Sequence, residues 1–581
     1  MATFTYEKEN FLLDGKKFYV YSGAIHYFRI ASDCWYDRLL KLKECGFNTV
    51  ETYIPWNLHE PEEGTFVFDG EVDICKFIDI AKEIGLKVVL RPGPFICAEF
   101  DGGGLPYWLL RYEGIKLRAN NEVFLQKVDV YFEKLFSVLD SKLIGNGGNV
   151  IMLQVENEYG SYSNEKEYIR NLTEIFKKYN KGCLLFYADG SEDFYLTGNE
   201  YPNYPVFGTF GSEVKARLDC LATYYKDQPL FCAEFWCGWF DHWYETHHVR
   251  GAESVAKEVD VFLQNKWGFN FYMFSGGTNF AFYNGANYHD GVYRPLVTSY
   301  DYNGLLSESG DRTPAYYRVR ELFEKYEGNL PPITATESVK KGYGKVEFYE
   351  YAPLFDNLAV LGQRFDAINP MQMEELGQSS GYILYSTTFN GVYEGRMLSI
   401  DGLADRAIIY LDGKKAGVYE RGREYENIAI NTNKETKLSI LVENCGRVNF
   451  GPFLEDRKGL CSVRIDQRYL TNWTMNTLPM YELSGLKMQE LPKMLPQVPC
   501  FYKGKFFVEE LGDTFLRVDG FEKGFVVVNG HNIGRYYTSA GPQKTLYIPS
   551  CWIREGENEI FIFESDGARE LNAELVDTPD L

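Results

Sequence analysis

Short apolar runs alternate with longer amphipathic stretches over roughly the first 325 residues. The runs predict strands at Phe18–His26, Thr49–Pro55, Lys87–Pro92, Val150–Glu156, Cys183–Ala188, Val206–Phe210, Pro229–Glu234 and Phe269–Ser275. Helical spacing of apolar residues predicts helices between them, such as Trp35–Cys45, Val72–Ile84, Asn164–Tyr179 and Ala252–Lys266. This alternation predicts a multidomain chain that begins with an α/β fold, a parallel (β/α)₈ TIM barrel. A doubly wound sheet is the alternative, but no Gly-rich phosphate turn supports it.

The pattern changes to short strands after the breakers Gly328 and Pro331–Pro332. The later runs are Gly381–Phe389, Ala407–Leu411, Thr436–Val442, Phe506–Glu509, Thr514–Val518, Phe525–Val528 and Glu559–Phe563. Three prolines in Leu491–Pro499 disfavour a central strand and indicate a linker. We therefore predict three domains: the barrel at 1–330, a first β-sandwich with its linker at 331–490, and a second at 491–581.

A weak internal repeat supports two related all-β units of jelly-roll or sandwich type. An apolar strand leads to Asp412-Gly413 and then to Gly417 and Tyr419. At the same offsets, another strand leads to Asn529-Gly530 and then to Gly534 and Tyr536. Asp-Gly and Asn-Gly are strong signals of two-residue hairpin turns, because both residues tolerate a positive φ. The repeat therefore predicts an equivalent hairpin in each sandwich.

Composition and charge exclude several classes of function. The 581 residues carry a net charge of −22, which disfavours nucleic acid and anionic membranes as partners. No apolar run is long enough to span a membrane, and residues 1–14 lack the pattern of a signal peptide. The twelve cysteines have no metal-ligand spacing and indicate reduced thiols. We predict a cytoplasmic protein without a metal or cofactor, and the sequence leaves a homo-oligomer open.

Candidate chemistry lies at the predicted strand ends. The runs Gln154–Gly160 and Phe231–Trp236 each bring a carboxylate to the end of an apolar strand. Active sites of TIM barrels lie at the carboxyl ends of their strands. The residues at the predicted strand ends are mostly acidic and aromatic. Such residues suit the binding of a neutral polyol and a reaction that develops positive charge. Glycosidic cleavage by a pair of carboxyl groups is such a reaction.

The run QVENEYG at 154–160 resembles the acid/base motif of glycoside hydrolase family 35. Further motifs stand in the family's order: YIPWN at 53–57, HEP at 59–61, RPGP at 91–94, CAE at 97–99, GGLP at 103–106, GGTNF at 276–280 and TSYDY at 298–302. The resemblance is close over the first 325 residues and looser beyond them. It implies an exo-β-galactosidase that acts on galactose-terminated oligosaccharides with retention of configuration.

The resemblance assigns the catalytic pair. Glu158 takes the acid/base role and Glu234 the nucleophile role, and a retaining pair should lie about 5–5.5 Å apart. The negative charge of Glu234 is a sufficient cause for a raised pKa of Glu158. Spacing alone would not choose Glu158 over Glu156, because strict alternation points both to one face. We expect Glu156 to be a structural residue, hydrogen-bonded inside the protein.

The resemblance also assigns the sugar-binding residues. By position, the residues that resemble galactose contacts are Tyr53, Cys97, Ala98, Glu99, Asn157 and Tyr300. Trp236 and Trp239 stand where an aromatic platform for the leaving sugar is expected, as in bacterial members that prefer β-1,3-linked galactose. Plain loop packing is the alternative for Trp236, and barrel-rim packing for the two tyrosines.

Two other functions remain open at this point. One is a related exo-glycosidase, especially an exo-β-glucosaminidase, and the other is a non-catalytic carbohydrate-binding protein. The presence of both Glu158 and Glu234 argues against the second. We expect the β domains to support the barrel rather than bind sugar.

Overall fold

The computed structural model describes residues 2–198, 201 and 203–581. Eight parallel strands close into a barrel in chain order, the eighth pairing with the first. Their bounds are Tyr21–Ile25, Thr49–Tyr53, Lys87–Arg91, Val150–Gln154, Leu184–Gly190, Val206–Phe210, Phe231–Trp236 and Gly268–Ser275. The predicted TIM barrel is confirmed.

The helices that cover the barrel begin and end at recognisable capping residues. Asp73 accepts a hydrogen bond from the backbone N–H of Lys76 at 2.8 Å, and Gly85, with φ +85°, follows the last residue of that helix. Helices of six residues or more are Trp35–Cys45, Ile74–Ile84, Glu122–Leu139, Lys166–Tyr179, Asp193–Gly198, Val214–Tyr224, Ala252–Asn265 and Pro314–Glu327. Among the described residues, no helix has the length and apolarity to cross a membrane.

Two β-sandwiches follow the barrel, each built from a six-stranded and a four-stranded sheet. In the first sandwich, the larger sheet holds Arg364–Ala367, Trp473–Leu478, Tyr382–Phe389, Thr436–Glu443, Arg406–Leu411 and Lys414–Glu420, and the smaller holds Ala429–Thr432, Tyr393–Asp401, Ser462–Ile465 and Arg468–Tyr469. In the second, the larger sheet holds Gln489–Glu490, Glu347–Pro353, Cys500–Val508, Gly556–Glu564, Lys523–Val528 and His531–Tyr537, and the smaller holds Gly344–Lys345, Glu574–Val576, Thr514–Arg517 and Thr545–Ile548. The prediction of two all-β domains is confirmed.

Strand pairing differs from the predicted linear division in one respect. Glu347–Pro353 lies in the predicted first sandwich by sequence, yet it pairs with Cys500–Val508 in the second. Gly344–Lys345 likewise pairs with the strand Glu574–Val576. The first sandwich is thus inserted in the chain between segments of the second. The pattern of apolar runs does not predict this insertion, because the partner strands are brought together only by tertiary structure.

The predicted hairpins are both present. Arg406–Leu411 pairs with Lys414–Glu420, and Lys523–Val528 pairs with His531–Tyr537, each across a two-residue turn. Asp412 and Asn529 have φ of +47° and +49°, as such turns require. The repeat detected in the sequence is therefore structural.

A small sheet joins the barrel to the first sandwich. The hairpin Ala286–His289 and Val292–Pro295 leaves the end of the barrel, and Val448–Phe450 of the sandwich pairs with its first strand. This pairing brings a β-domain segment to the rim of the barrel, beside the carboxyl ends of the strands.

Candidate active site

A cavity of about 340 Å³ opens at the carboxyl ends of the barrel strands. It brings together all the predicted site residues except Tyr300: Tyr53, Cys97, Ala98, Glu99, Asn157, Glu158, Glu234, Trp236 and Trp239. These residues come from the ends of the second, third, fourth and seventh strands and from the loops that follow them. The barrel therefore brings together site residues that are up to about 190 positions apart in the sequence.

Glu158 reaches the cavity because the backbone leaves the strand conformation early. The fourth strand ends at Gln154, and both Glu156 and Glu158 have left-handed φ values of +62° and +46°. An Oε1 atom of Glu158 accepts a hydrogen bond from Thr209 at 2.7 Å. Burial raises the pKa of Glu158 to about 8, with the charge of Glu234 as the second cause. The charge of Glu234, which the sequence predicts as a cause, is therefore the smaller of the two.

Glu234 is a buried carboxylate that receives several donors. Its Oε1 accepts from the Tyr53 hydroxyl at 2.5 Å and pairs with the Arg91 guanidinium at 2.6 Å. Its Oε2 accepts from the indole N–H of Trp236 at 2.9 Å. A buried ion of one sign is tolerated when it is paired and hydrogen-bonded in this way. The contacts also hold the side chain in one orientation toward the cavity.

Asn157 is oriented by the same network. Its Oδ1 accepts hydrogen bonds from Tyr53 at 3.0 Å, from Arg91 at 2.7 Å and from Gln154 at 3.2 Å. Because the amide oxygen is occupied by three donors, the amide nitrogen is the group that Asn157 can offer to a substrate hydroxyl.

The turn after the third strand is unusually strained. Cys97, Ala98 and Glu99 have consecutive φ values of +57°, +51° and +52°. Non-glycine residues hold such values only when their surroundings enforce them, and such positions cluster at functional sites. Here the Ala98 carbonyl accepts a hydrogen bond from buried Arg29. The turn presents backbone groups and the Glu99 carboxyl group to the cavity.

Tyr300 is not among the residues that line the cavity, and its contact with the sugar stays a prediction. Its hydroxyl donates to Oε2 of Glu99 at 2.5 Å, and its ring is 1% exposed. Burial raises the pKa of Glu99 to about 7, whereas the hydrogen bond from Tyr300 opposes that rise. Through this hydrogen bond Tyr300 helps to hold the Glu99 carboxyl group in place beside the cavity.

Trp236 and Trp239 form an aromatic corner at the mouth of the cavity. Their rings meet edge to face, with centroids 5.7 Å apart and planes at 80°. Trp236 is held by its hydrogen bond to Glu234, whereas Trp239 is 40% exposed. An exposed indole at the rim offers a flat apolar face to a ligand.

Glu156 faces away from the cavity, as the structural interpretation predicts. It forms a two-pronged ion pair with Arg118, at 2.8 Å for each N–H, and accepts from the Tyr168 hydroxyl at 3.2 Å. Strict alternation fails because the left-handed residues at 156 and 158 turn the chain between them. Glu156 and Glu158 therefore point to different surroundings.

Arg118→Met is expected to destabilise the fold by about 3–5 kcal/mol, because it leaves the Glu156 carboxylate buried without its partner. Urea unfolding followed by circular dichroism measures this loss. The double variant Arg118→Met with Glu156→Met should recover much of the stability, since both charges are then removed. Equal stability of the wild type and Arg118→Met would show that the pair contributes nothing.

Sequence reasoning missed several residues of the site. Arg91 belongs to the RPGP motif, from which no role is predicted for it, although it contacts both Glu234 and Asn157. An arginine at the end of an apolar strand, in a barrel whose other strand ends carry carboxylates, is the sequence signal that could have indicated this role. The remaining lining residues are Phe240, His242, Tyr272, Asn287, His289, Arg294, Tyr302 and Phe450.

The acidic and histidine residues beyond the cavity rim form their own network. Asp241 accepts hydrogen bonds from the ring nitrogens of His247 at 2.7 Å and His248 at 2.8 Å. In the part of the chain that the structure describes, no group of three or more potential ligands could hold a metal ion. The twelve cysteines are all free thiols.

Comparison with known proteins matches three segments of the chain. The family described as Glycosyl hydrolases family 35 matches residues 10–326. Descriptions of β-galactosidase domains match the rest: the first all-beta domain at 370–479 and the galactose-binding domain at 499–558. These segments correspond to the barrel and to parts of the two sandwiches.

Relatives resemble the chain over nearly its whole length. Beta-galactosidase-1-like protein 2 of Homo sapiens is 38% identical over 98% of this chain and 91% of its own length. Beta-galactosidase 1 of Dictyostelium discoideum is 37% identical, covering 97% and 92%. Beta-galactosidase of Mus musculus is also 37% identical, covering 99% and 94%. With the barrel, the two sandwiches and the carboxyl pair in one cavity, the chain belongs to glycoside hydrolase family 35.

Proposed function

We propose that the protein is a retaining exo-β-galactosidase that releases terminal, non-reducing β-D-galactose from oligosaccharides. One observation carries the proposal: two carboxyl groups in different electrostatic surroundings line the same cavity. Glu158 has a raised pKa, and Glu234 is paired with Arg91. A group that keeps its proton can act as an acid, and a paired carboxylate can act as a nucleophile. Relatives named β-galactosidase support the choice of galactose.

The first half of the reaction uses both groups at once. Glu158 gives its proton to the glycosidic oxygen, and the Glu234 carboxylate attacks the anomeric carbon. The bond to the leaving sugar breaks, and an ester forms between Glu234 and galactose. Tyr53 and Arg91, both bound to Glu234 Oε1, hold the attacking carboxylate in line.

The second half exchanges the roles. Once Glu234 is esterified its negative charge is gone, so a main cause of the raised pKa of Glu158 disappears. Glu158, now ionised, takes a proton from water, and the oxygen attacks the anomeric carbon. The ester bond breaks, and galactose leaves with its original configuration.

Recognition of a single terminal sugar fits the size of the cavity. About 340 Å³ lies near the lower end of the range of ligand pockets. Glu99 and the amide nitrogen of Asn157 can bind ring hydroxyls, and the Trp236–Trp239 corner can stack on the leaving sugar. We propose a preference for β-1,3 linkages on the basis of this corner.

Three measurements test the proposal. A panel of nitrophenyl glycosides should give the highest kcat/KM for the β-galactoside, and faster cleavage of the β-glucosaminide would overturn it. Proton NMR of the first product should show β-galactose before mutarotation, and initial α-galactose would exclude retention. Among galactosyl disaccharides, the β-1,3 isomer should be cleaved faster than its β-1,4 and β-1,6 isomers.

The activity should fall at alkaline pH as Glu158 loses its proton. Because the resting enzyme needs protonated Glu158, kcat/KM is expected to decrease as the pH rises through about 8. The Thr209 hydroxyl favours the ionised form of Glu158, so Thr209→Val should move this alkaline limb to higher pH. A pH profile of kcat/KM measures both effects.

Tyr300→Phe is the matched control, because it removes the hydrogen bond that Tyr300 donates to Glu99 and leaves the one that Thr209 donates to Glu158. If the alkaline limb moves with Tyr300→Phe and stays fixed with Thr209→Val, it belongs to Glu99, and Glu158 does not set it.

A further inference from the structure

A second cavity, of about 530 Å³, lies where the barrel and both sandwiches meet. We call it the junction cavity. Its wall includes Trp243 and Tyr244 of the barrel domain, Arg406 and Arg423 of the first sandwich, and Lys523 and Tyr537 of the second. It is larger than the catalytic cavity and has contributions from all three domains.

The two cavities share a wall. Arg294, on the hairpin that leaves the barrel, lines both of them. The loop after the seventh strand serves both as well: Trp239 and His242 line the catalytic cavity, and Trp243 and Tyr244 line the junction cavity. His242 and Glu245 join the two sides by a hydrogen bond of 2.8 Å. The shared Arg294 and the shared loop therefore make the two cavities neighbours.

The junction cavity presents paired charges and aromatic rings. Its lining has five basic and four acidic side chains, which nearly cancel. Glu420, for example, accepts from Arg406 at 2.7 Å, from Tyr537 at 2.8 Å and from Tyr244 at 2.9 Å. Since the cations already have carboxylate partners, a neutral ligand rich in hydroxyl groups suits this lining better than an anion.

Tyr244 is held in a conformation that bulky residues rarely adopt. Its φ is +71°, and its hydroxyl bonds to both Glu420 and Tyr537. The Arg423 guanidinium lies 3.0 Å from the centre of its ring, and the side chain remains 40% exposed. The surroundings thus fix an exposed aromatic side chain and an arginine together at the cavity.

We propose that the junction cavity binds the distal part of the leaving group, meaning the second and later sugars after the terminal galactose. The inference rests on the proposed function and narrows its substrate class to neutral oligosaccharides of three or more sugars. Binding energy from these remote sugars would be used at the reacting bond, so longer substrates react faster.

A comparison of substrate lengths tests the inference. The substrates are a galactose-terminated disaccharide and a neutral tetrasaccharide with the same terminal linkage. For the wild type, the ratio of kcat/KM for tetrasaccharide over disaccharide should be about ten or more. In Arg423→Ala and Tyr244→Ala this ratio should fall toward one. Because each ratio compares two substrates on the same enzyme, a partly unfolded preparation does not change it.

Arg396→Ala is the matched control. Arg396 is an exposed arginine of the same sandwich, paired with Asp466 at 3.2 Å and outside both cavities. Its ratio should equal that of the wild type. Binding of the tetrasaccharide to inactive Glu234→Gln, measured by calorimetry, should weaken about tenfold when Arg423→Ala is added.

A wild-type ratio near one would overturn the inference and leave the β-galactosidase proposal intact. A high ratio that survives both substitutions would also overturn it, since the distal sugars would then bind elsewhere. If nitrophenyl β-galactoside itself is not cleaved, the proposed function fails, and the inference fails with it.

Discussion

Glu234→Gln is expected to lower kcat/KM on every β-galactoside by about 10⁴-fold or more. The amide keeps the size of the side chain, and its one oxygen can still accept from Tyr53 in the position of Oε1, although the hydrogen bond from Trp236 to Oε2 is lost, so the cavity should retain its shape. It lacks the negative charge that attacks the anomeric carbon in the proposed mechanism, so no ester can form. Steady-state hydrolysis of nitrophenyl β-galactoside measures the loss.

Glu308→Gln is the matched control for this substitution. Glu308 is also a buried acid, and its carboxylate accepts from Thr278 at 2.6 Å outside the catalytic cavity. We expect this variant to retain activity within about threefold, since Glu308 does not line the catalytic cavity and the amide keeps the size of its side chain. If Glu234→Gln turned over like the control, Glu234 would not be the nucleophile.

Glu158→Gln should lose about 10²–10⁴-fold on oligosaccharides, and the loss should depend on the leaving group. The hydroxyl oxygen of a sugar is a poor leaving group that needs a proton, whereas the anion of the acidic dinitrophenol leaves without one. The first step with dinitrophenyl β-galactoside should therefore stay fast, and the ester should accumulate because water is no longer activated. Rapid mixing would detect this as a burst of dinitrophenol.

Azide distinguishes the acid/base role from a general loss of structure. It is a nucleophile that needs no base, so it should accelerate the second step in Glu158→Gln and give β-galactosyl azide. The same azide concentration should leave Glu234→Gln inactive. Equal losses on the dinitrophenyl and oligosaccharide substrates, without azide rescue, would contradict the role of Glu158.

The barrel could be predicted because its strands are buried on both faces. Parallel strands of this kind are continuous apolar runs, and the predicted run Val206–Phe210 matches the observed strand. Helix Trp35–Cys45 also matches, because its apolar spacing is regular and a left-handed glycine ends it. These are local signals.

The unpredicted parts depend on contacts between distant residues. The faces of Glu156 and Glu158 follow from left-handed backbone that no local rule requires of glutamate. Phe450 reaches the catalytic cavity through a sheet between two domains, and Tyr300 donates a hydrogen bond to Glu99, 201 residues away in the chain. Resemblance to the family singled out Glu158 and Glu234 as the candidate pair, whereas their hydrogen-bond partners became visible only in three dimensions.

The inserted position of the first sandwich has a consequence for synthesis on the ribosome. The strand Glu347–Pro353 emerges about 150 residues before its partner Cys500–Val508. At the usual rates of translation, it waits roughly 7–30 s for that partner. The insert can complete its own sheets meanwhile, whereas the enclosing sandwich closes last. The nascent chain thus carries an unpaired edge during this interval, and the glutamates at 347 and 350 help to keep it from pairing with other chains.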